Sequence, residues 1–293
     1  LFLRTRPTMK RILLCTDGSA FAQSSYPYGA WFASRLGATI DIVYVSDDRG
    51  KTTATNLSGS IGLGASEALL KQLVEVEHER AKLNRQKAKV ILQTAEQGLT
   101  QPGVQAVNLI HKTGFLVDSL APLEAEADLI VLGKRGEAAE FASGHLGANV
   151  DRIVRSSRKP CLVTPGQFTP IERLLVAYDG SKSCQKLLEF VVQSSAFHGL
   201  EMHILTVATK PEDENAIAHL RVAEMHAQAA GLSPISQVIL GNPEQVIADY
   251  IENHKINLLL MGAYGHSRIR HLVIGSTTIQ LLRSSHIPVL LFR

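Results

Sequence analysis

Two pairs of residues near the end of the chain have the types and spacing of a phosphate-binding site. Gly262 and Gly265 follow the apolar run 258–261, which is typical of a buried parallel strand. Nine residues then separate Gly265 from Gly275 and Ser276, which stand where the next helix should begin. Glycine lets backbone N–H groups approach an anion closely, and a helix start adds a positive terminus. Each glycine alone is better explained by a turn or a helix start, but the joint spacing predicts a nucleotide phosphate site.

The same pattern recurs with changes in the first half of the chain. Gly133 and Gly136 follow another apolar run, but ten residues rather than nine separate Gly136 from Gly147. Ala148 stands where the second half has the hydroxyl of Ser276. We expect the extra residue to shift the second glycine against the first pair and to weaken phosphate binding in this half. The candidate residues of this weaker site are Asp17, Gly133, Gly136 and Gly147.

Two cations follow the first glycine of this half, Lys134 and Arg135. They are candidates to compensate electrostatically for the altered spacing. The alternative is a solvated pair of charges on a surface loop.

The chain contains a tandem duplication. The segment 11–19 parallels 173–181, and similar correspondences continue to the end of each half. Halves of this length are ordinary domain sizes. We therefore predict domain 1 over residues 1–168 and domain 2 over 169–293, with a proline-marked boundary near 168–172. Residues 1–8 lack an initiator Met and the apolar segment of a signal peptide, and we interpret them as an expression-derived leader or a misread start.

Strand-like and helix-like segments alternate in the same order in both halves. The sequence therefore predicts an α/β protein of two tandem, Rossmann-like, doubly wound domains, each with a five-stranded parallel sheet. The segment 20–36 is predicted to be a helix that Pro27 kinks. The segment 67–97 is predicted to be a long amphipathic helix. Its apolar side is expected to carry Leu69, Leu73, Val76, Leu83 and Val90.

Asp179 ends the first strand of domain 2, so it should face the crevice where ligands of such sheets bind. A carboxylate there can accept hydrogen bonds from an adenine amino group or from ribose hydroxyls. Alternatively, the triplet Asp179, Gly180 and Ser181 only caps the following helix. The two roles are compatible, and Asp17 has the same two interpretations in domain 1.

The composition excludes several classes of protein. No apolar run reaches the roughly 20 residues of a membrane span. A net charge of +3 without a basic, aromatic-rich stripe argues against nucleic acid as a partner. The three cysteines lack metal-like spacing; Cys15 and Cys161 read as reduced core residues, and Cys184 near a helix start is expected to be somewhat more reactive.

Several motifs of nucleotide enzymes and hydrolases are missing. The chain has no P-loop, no Gly-x-Gly-x-x-Gly after either first strand and no Ser-His-Asp or Cys-His arrangement. We therefore name no catalytic residue and no metal ligand. Four side chains between the two glycine pairs are candidates to neutralise phosphate, or form a basic loop without a ligand: His266, Arg268, Arg270 and His271.

From Met9 onwards the chain resembles the universal stress protein family, specifically its tandem two-domain members. Domain 2 carries the pattern of the ATP-binding subfamily: glycine, two residues, glycine, nine residues, glycine and serine. The resemblance implies ATP as the ligand, with Mg²⁺ as its counter-ion, and a cytoplasmic protein. It also implies that the fifth strands pair the two repeats as an internal pseudo-dimer, with a further homodimer left open. The implied ATP-site residues are Ala177, Asp179, Val207, Met261, Gly262, Gly265, Gly275, Ser276 and Thr277.

Three functions stay open on the sequence. The first is an ATP-binding regulatory or stress-response protein whose output is a nucleotide-dependent conformation or choice of partner. The second is a slow ATPase or phosphotransferase at the same site, although Asp179 stands at the wrong end of it. The third is an interaction module without a nucleotide, in which the glycines are structural only.

Overall fold

The computed structural model describes residues 9–46, 63–99, 102–136, 146–263 and 275–293, with side chains from Lys71 onwards in the second of these ranges. The strands are β1 (Arg11–Thr16), β2 (Thr39–Ser46), β3 (Val107–Thr113), β4 (Leu129–Gly133), β5 (Cys161–Thr164), β6 (Arg173–Ala177), β7 (Glu201–Ala208), β8 (Ile235–Leu240), β9 (Leu258–Gly262) and β10 (Val289–Phe292). The α-helices are α1 (Ala20–Gln23), α2 (Ser25–Leu36), α3 (Leu63–Gly98), α4 (Leu116–Glu124), α5 (Ala148–Ser156), α6 (Lys182–Gln193), α7 (Glu214–Ala229), α8 (Pro243–Asn253) and α9 (Ser276–Ser284).

The strands form one continuous sheet in the order β3-β2-β1-β4-β5-β10-β9-β6-β7-β8. All neighbours within each half are parallel, and the two halves have the same strand order, as predicted for doubly wound domains. The halves meet where β5 and β10 pair antiparallel, with Leu162 opposite Leu290. Each repeat therefore covers the edge strand of the other, which is the pairing of repeats that the sequence predicts.

Helices cover both faces of this sheet. Alternate residues of β1 show the division, because Ile12 and Leu14 join one core while Leu13 and Cys15 join the other. The first core is closed by α2, α3, α6 and α7, and the second by α4, α5, α8 and α9. Strands buried on both faces explain the continuous apolar runs of the sequence.

The first helical segment breaks at Ser24, where the backbone keeps helical angles (φ −64°, ψ −18°), which fits the kink predicted from Pro27. Proline has no N–H, and its ring clashes with the carbonyl group four residues earlier, here that of Gln23. The structure accordingly ends α1 at Gln23 and begins α2 at Ser25. Ser24, between the two helices, donates its hydroxyl to the carbonyl oxygen of Phe21 or of Pro165, both at 2.6 Å.

The predicted apolar side of the long helix does not pack on the sheet for most of its length. Val76, Leu83 and Val90 are exposed to 65, 62 and 63% instead of facing the core, and Leu73 is half-buried. Leu69 lies outside the described side chains. The core contact is made further along the chain, by Ala88, Leu92, Ala95 and Leu99. The helix extends beyond the part that packs on the sheet, so the apolar residues in its first part are not buried. None of the helices that the structure describes combines the length and apolar composition of a membrane span.

Candidate nucleotide-binding site

The domain 2 site lies where the strand order reverses. The chain leaves β6 towards β7 on one side, whereas β9 lies on the other, which makes the β6/β9 boundary the switch point of the sheet. Ala177 of β6 is in register with Met261 of β9. The carboxyl ends of these strands deliver Asp179 and Gly262 to the same edge of the sheet. Ligands of open α/β sheets bind at such an edge.

A cavity of about 310 Å³ opens at this edge. Eight of the nine residues that the sequence predicts for the ATP site line it: Ala177, Asp179, Val207, Met261, Gly262, Gly275, Ser276 and Thr277. The ninth, Gly265, lies outside the described residues, as do the loop candidates His266, Arg268, Arg270 and His271. Six further lining residues were not predicted: Tyr178, Cys184, Leu205, Pro243, Ile247 and Thr278. Leu205 could have been predicted from the sequence. It stands two residues before Val207, and every second side chain of a strand lies on the same face.

One wall of the cavity is apolar. Leu205, Ile247 and Met261 belong to the second core, and Val207 packs against it. Pro243 completes this wall as the first residue of α8. A slot lined by such side chains suits a flat, weakly polar ring system, with orientation supplied by the few polar groups around it.

The N-terminus of α9 forms another wall. Three helices begin around the cavity, and two have side-chain caps: Ser181 accepts from the N–H of Cys184, and Asn242 accepts from the N–H of Glu244. The part of the chain that the structure describes supplies no such cap for α9, which starts at Gly275. The first N–H groups of a helix lack intrahelical acceptors and carry positive charge. Ser276 and Thr277 therefore bring unsatisfied donors to the cavity, as an anion requires.

Gly275 and Gly262 are glycines for different reasons. A Cβ on Gly262 would lie 2.5 Å from Oγ of Ser183 and 3.1 Å from Sγ of Cys184, so Gly262 is needed for the packing of α6 on β9. Among the described residues, a Cβ on Gly275 would meet only Oγ1 of Thr278, at 3.6 Å. With φ −59° and ψ 143°, the backbone of Gly275 is also open to any residue. Packing within the described protein therefore does not explain Gly275, whereas close approach of a ligand would.

Asp179 combines the two roles considered for it. Its Oδ1 accepts a 2.9 Å hydrogen bond from the backbone N–H of Ser181, which fixes the turn before α6. Gly180 makes this turn possible, because its φ is +78° and a Cβ would lie 2.6 Å from the ring of His219. The carboxylate also lines the cavity. Asp179 thus fixes the turn before α6, and as a lining residue of the cavity it is also placed to contact a ligand.

Cys184 is not the reactive thiol that its position near a helix start suggested. It is buried, and its Sγ donates a 3.4 Å hydrogen bond to the carbonyl oxygen of Ala177. Burial, together with the charge of Asp179, raises the pKa of the Cys184 thiol to about 12. The neutral thiol is a poor nucleophile, so Cys184 lines the cavity as a small apolar residue. Cys15 and Cys161 are free, buried core residues.

In domain 1 the extra residue does not displace the second glycine. Gly147 starts α5 with φ −57° and ψ 137°, close to the angles of Gly275. Its N–H donates to the carbonyl oxygen of Lys134 at 3.2 Å, and the N–H of Gly275 donates to that of Ala263 at the same distance. The expected shift of this glycine is therefore wrong.

Other features distinguish the domain 1 edge. Gly136 lies against the carboxylate of Asp17, since a Cβ on Gly136 would be 2.6 Å from its Oδ2. Asp17 therefore lies beside the first glycine pair of domain 1, whereas the corresponding Gly265 of domain 2 lies outside the described residues. Gly133 is required by packing, because a Cβ there would lie 2.8 Å from the carbonyl oxygen of Phe21. Ala148 brings no hydroxyl to the start of α5.

Lys134 has neither of the two roles considered from the sequence, which were electrostatic compensation at the domain 1 site and a solvated position on a surface loop. Its Nζ donates to the carbonyl oxygens of Arg283 and Ser285, at the C-terminal end of α9 in the other domain. Burial, reinforced by the neighbouring charge of Arg135, lowers the pKa of Lys134 to about 8. Arg135 lies with its guanidinium 6.0 Å from the ring centre of Phe21. Lys134 therefore caps a helix of domain 2 and is neither solvated nor directed at a phosphate of domain 1.

Comparison with known proteins identifies the family. A sequence profile described as "Universal stress protein family" matches residues 8–165 and 170–293. Universal stress protein Slr1230 of Synechocystis is 58% identical over 287 residues, which cover 97% of this chain and all of that protein. Universal stress protein MJ0531 of Methanocaldococcus jannaschii is 25% identical over 36% of this chain and 62% of its own length. A crystal structure of a universal stress protein from Archaeoglobus fulgidus covers 97% of this chain and 98% of its own, with a TM-score of 0.72 and 22% identity, and supports the fold. The chain belongs to the universal stress protein family, as two tandem domains of that family.

Proposed function

We propose that this universal stress protein binds ATP in domain 2 and exerts its stress-response role through a nucleotide-dependent conformation or choice of partner. One observation carries the proposal: an apolar slot and a helix N-terminus that no described side chain caps meet in a single cavity. An adenine nucleotide has the matching halves, a flat ring system and a polyanion. Gly275 supports the same conclusion, because the packing of the described residues around it does not require a glycine.

The residues of the cavity fit the parts of the ligand. Ala177, Val207 and Met261 would contact the adenine ring. The carboxylate of Asp179 would accept from the adenine amino group or from ribose hydroxyls. The phosphates would lie over Gly275, Ser276 and Thr277, where the N–H groups of α9 would neutralise part of their charge. Mg²⁺ would enter as the counter-ion of the nucleotide, since the described residues contain no cluster of three His, Cys, Asp or Glu side chains.

Binding rather than turnover is the favoured activity. Asp179 is the one carboxylate among the described residues that line the cavity, and its Oδ1 is engaged by the N–H of Ser181. It follows β6 on the side assigned to the base and ribose, away from the phosphates over α9. A general base must come within hydrogen-bond reach of the attacking water.

The test begins with the freshly purified full chain. Denaturation followed by mass spectrometry of the released small molecules should identify an adenine nucleotide. Calorimetric titration of the nucleotide-free chain should then give tight binding of ATP and weaker binding of inorganic triphosphate, which lacks the part that fills the apolar slot. A single-turnover assay with labelled ATP should show no hydrolysis beyond the rate in buffer. Absence of nucleotide together with no heat of ATP binding would leave the interaction module as the better description. The cytoplasmic location stays a prediction, to be tested by fractionation.

A further inference from the structure

Helix α3 carries an extension that its counterpart in domain 2 lacks. The residues that bury α3 on the sheet are Ala88, Leu92, Ala95 and Leu99, and those of α7 are Ala216, Leu220, Ala223 and Ala227. The two sets have identical spacing, so these parts of the helices correspond. However, α7 begins two residues before Ala216, whereas α3 begins 25 residues before Ala88. We call residues 63–87 the α3 extension.

The described side chains of the α3 extension, residues 71–87, are exposed on nearly all sides. Of residues 71–87, only Leu73 and Asn84 are as much as half-buried. A solvated helix of this length is marginal in water, and most helices gain their stability from a packed apolar face. The extension has such a face: Val76 and Leu83 are seven residues apart and Val90 continues the row, all more than 60% exposed. Residues at this spacing form one stripe on a helix, typical of the seam between two helices.

The charges between residues 75 and 89 are segregated along the axis of α3. Residues 75–79 contain three acidic side chains and no Lys or Arg, while residues 80–89 contain five basic side chains and no acid. The acidic residues are Glu75, Glu77 and Glu79, and the basic residues are Arg80, Lys82, Arg85, Lys87 and Lys89. The sign therefore changes between Glu79 and Arg80. A parallel pair of such helices would place like charges opposite each other, whereas an antiparallel pair would place acidic against basic.

We propose that the α3 extension pairs antiparallel with the same extension of a second copy of this chain, about a two-fold axis between Glu79 and Arg80. The apolar stripe and the charges select this axis independently. Placing Val76 opposite Leu83 of the partner puts the centre midway between them, at 79 and 80. The change of charge falls at the same point. A two-fold interface must be self-complementary, and this helix is self-complementary in both respects.

The internal pairing of the repeats makes a separate surface necessary for a homodimer. β5 and β10 are paired with each other inside one chain, so neither is an open edge. The α3 extension belongs to domain 1 alone, which gives one such surface to each chain and hence a closed dimer. This inference does not depend on nucleotide binding.

The first test measures the dimer with and without its apolar stripe. Sedimentation equilibrium should show the wild-type chain as a dimer. Val76→Glu combined with Leu83→Glu should weaken the dimer at least tenfold without lowering the melting temperature, since both residues are exposed. The matched control is Val222→Glu combined with Met225→Glu on α7, where the residues are 60 and 68% exposed. The control should remain dimeric. A monomeric wild type, or equal dissociation of both variants, would overturn the proposal.

The second test determines orientation. Arg80 lies on the same stripe, four residues after Val76 and three before Leu83, close to the proposed axis. Arg80→Cys should therefore form a disulfide with its own mate under mild oxidation. Val90→Cys should not, because the two copies of residue 90 would stand about 30 Å apart at 1.5 Å per residue. The three native cysteines are buried and serve as an internal blank. Cross-linking of Val90→Cys, or none at Arg80→Cys, would exclude the antiparallel pair.

Discussion

Nζ of Lys134 in domain 1 lies 3.0 Å from the carbonyl oxygen of Ser285, just beyond the C-terminal end of α9 in domain 2. A reciprocal contact exists, because Nη1 of Arg293 donates to the carbonyl oxygen of Ser157, just beyond the end of α5 in domain 1. Cations at helix C-termini are favourable, since carbonyl groups there lack intrahelical partners. Each repeat thus caps the last helix of the other. The two capping side chains, Lys134 and Arg293, do not stand at equivalent positions of the two repeats.

Replacing Lys134 with Met should destabilise the chain by about 1–2 kcal/mol, since two carbonyl groups lose their donor. The exposed residue Lys210 provides the matched control, and Lys210→Met should change stability by less than about 0.5 kcal/mol. Urea unfolding followed by circular dichroism measures both. Equal stabilities of the two variants would show that the inter-domain cap contributes nothing.

The same lysine should make stability depend on pH above neutrality. Its pKa is lowered from 10.5 to about 8 in the folded chain. Between these values the unfolded chain holds more protons, so the free energy of unfolding should rise with pH. This contribution is fully present above about pH 10.5 and is lost as the pH falls through 8. The stability of the wild type relative to Lys134→Met should therefore increase between pH 8 and 10. Parallel profiles for the two chains would contradict the lowered pKa.

Gly275→Ala should weaken ATP binding at least tenfold while leaving the melting temperature unchanged or slightly higher. The backbone accepts alanine, and the nearest described atom to its Cβ is 3.6 Å away, so we expect the new methyl group to obstruct a ligand rather than the packing of the described residues. Gly262→Ala is the contrasting variant, because its Cβ would lie 2.5 Å from Oγ of Ser183. It should lower stability by about 1–3 kcal/mol. If Gly275→Ala binds ATP like the wild type, the phosphates do not lie at the start of α9.

The sequence predicted the strands and their parallel, doubly wound arrangement, because long apolar runs and turn residues are local signals and the same pattern occurs twice. It also predicted most of the cavity lining, since residues at the ends of neighbouring parallel strands must meet at one edge. Three features were not predicted from the sequence, because they depend on how distant parts of the chain come together in the fold. The partner of Lys134 is 149 residues away. Gly147 has nearly the same backbone angles as Gly275 despite the extra residue before it. The apolar stripe of α3, Val76, Leu83 and Val90, does not reach the core and is exposed.

ATP should bind with a stoichiometry near one per chain, in domain 2. The basis for this asymmetry is no longer the residue count but the missing hydroxyl at Ala148, where domain 2 has Ser276. Two matched variants separate the sites: Gly275→Val should abolish the binding heat, and Gly147→Val, at the equivalent helix start, should leave it unchanged. Calorimetry that returns two tight sites, one lost in each variant, would disprove the asymmetry.

Asp179→Ala should weaken ATP binding and reduce the preference for ATP over GTP, because a carboxylate accepts from the adenine amino group but repels the guanine carbonyl oxygen. Its affinity for inorganic triphosphate should hardly change, since that ligand would touch only the start of α9. Asp17→Ala is a matched control for stability: Oδ1 of Asp17 accepts from the N–H of Ser19 at 3.0 Å, and that of Asp179 accepts from Ser181 at 2.9 Å. Both variants should therefore lose about 0.5–1.5 kcal/mol of stability. Only Asp179→Ala should change the ATP/GTP affinity ratio. Equal losses of stability with an unchanged ratio would leave Asp179 as a turn residue alone.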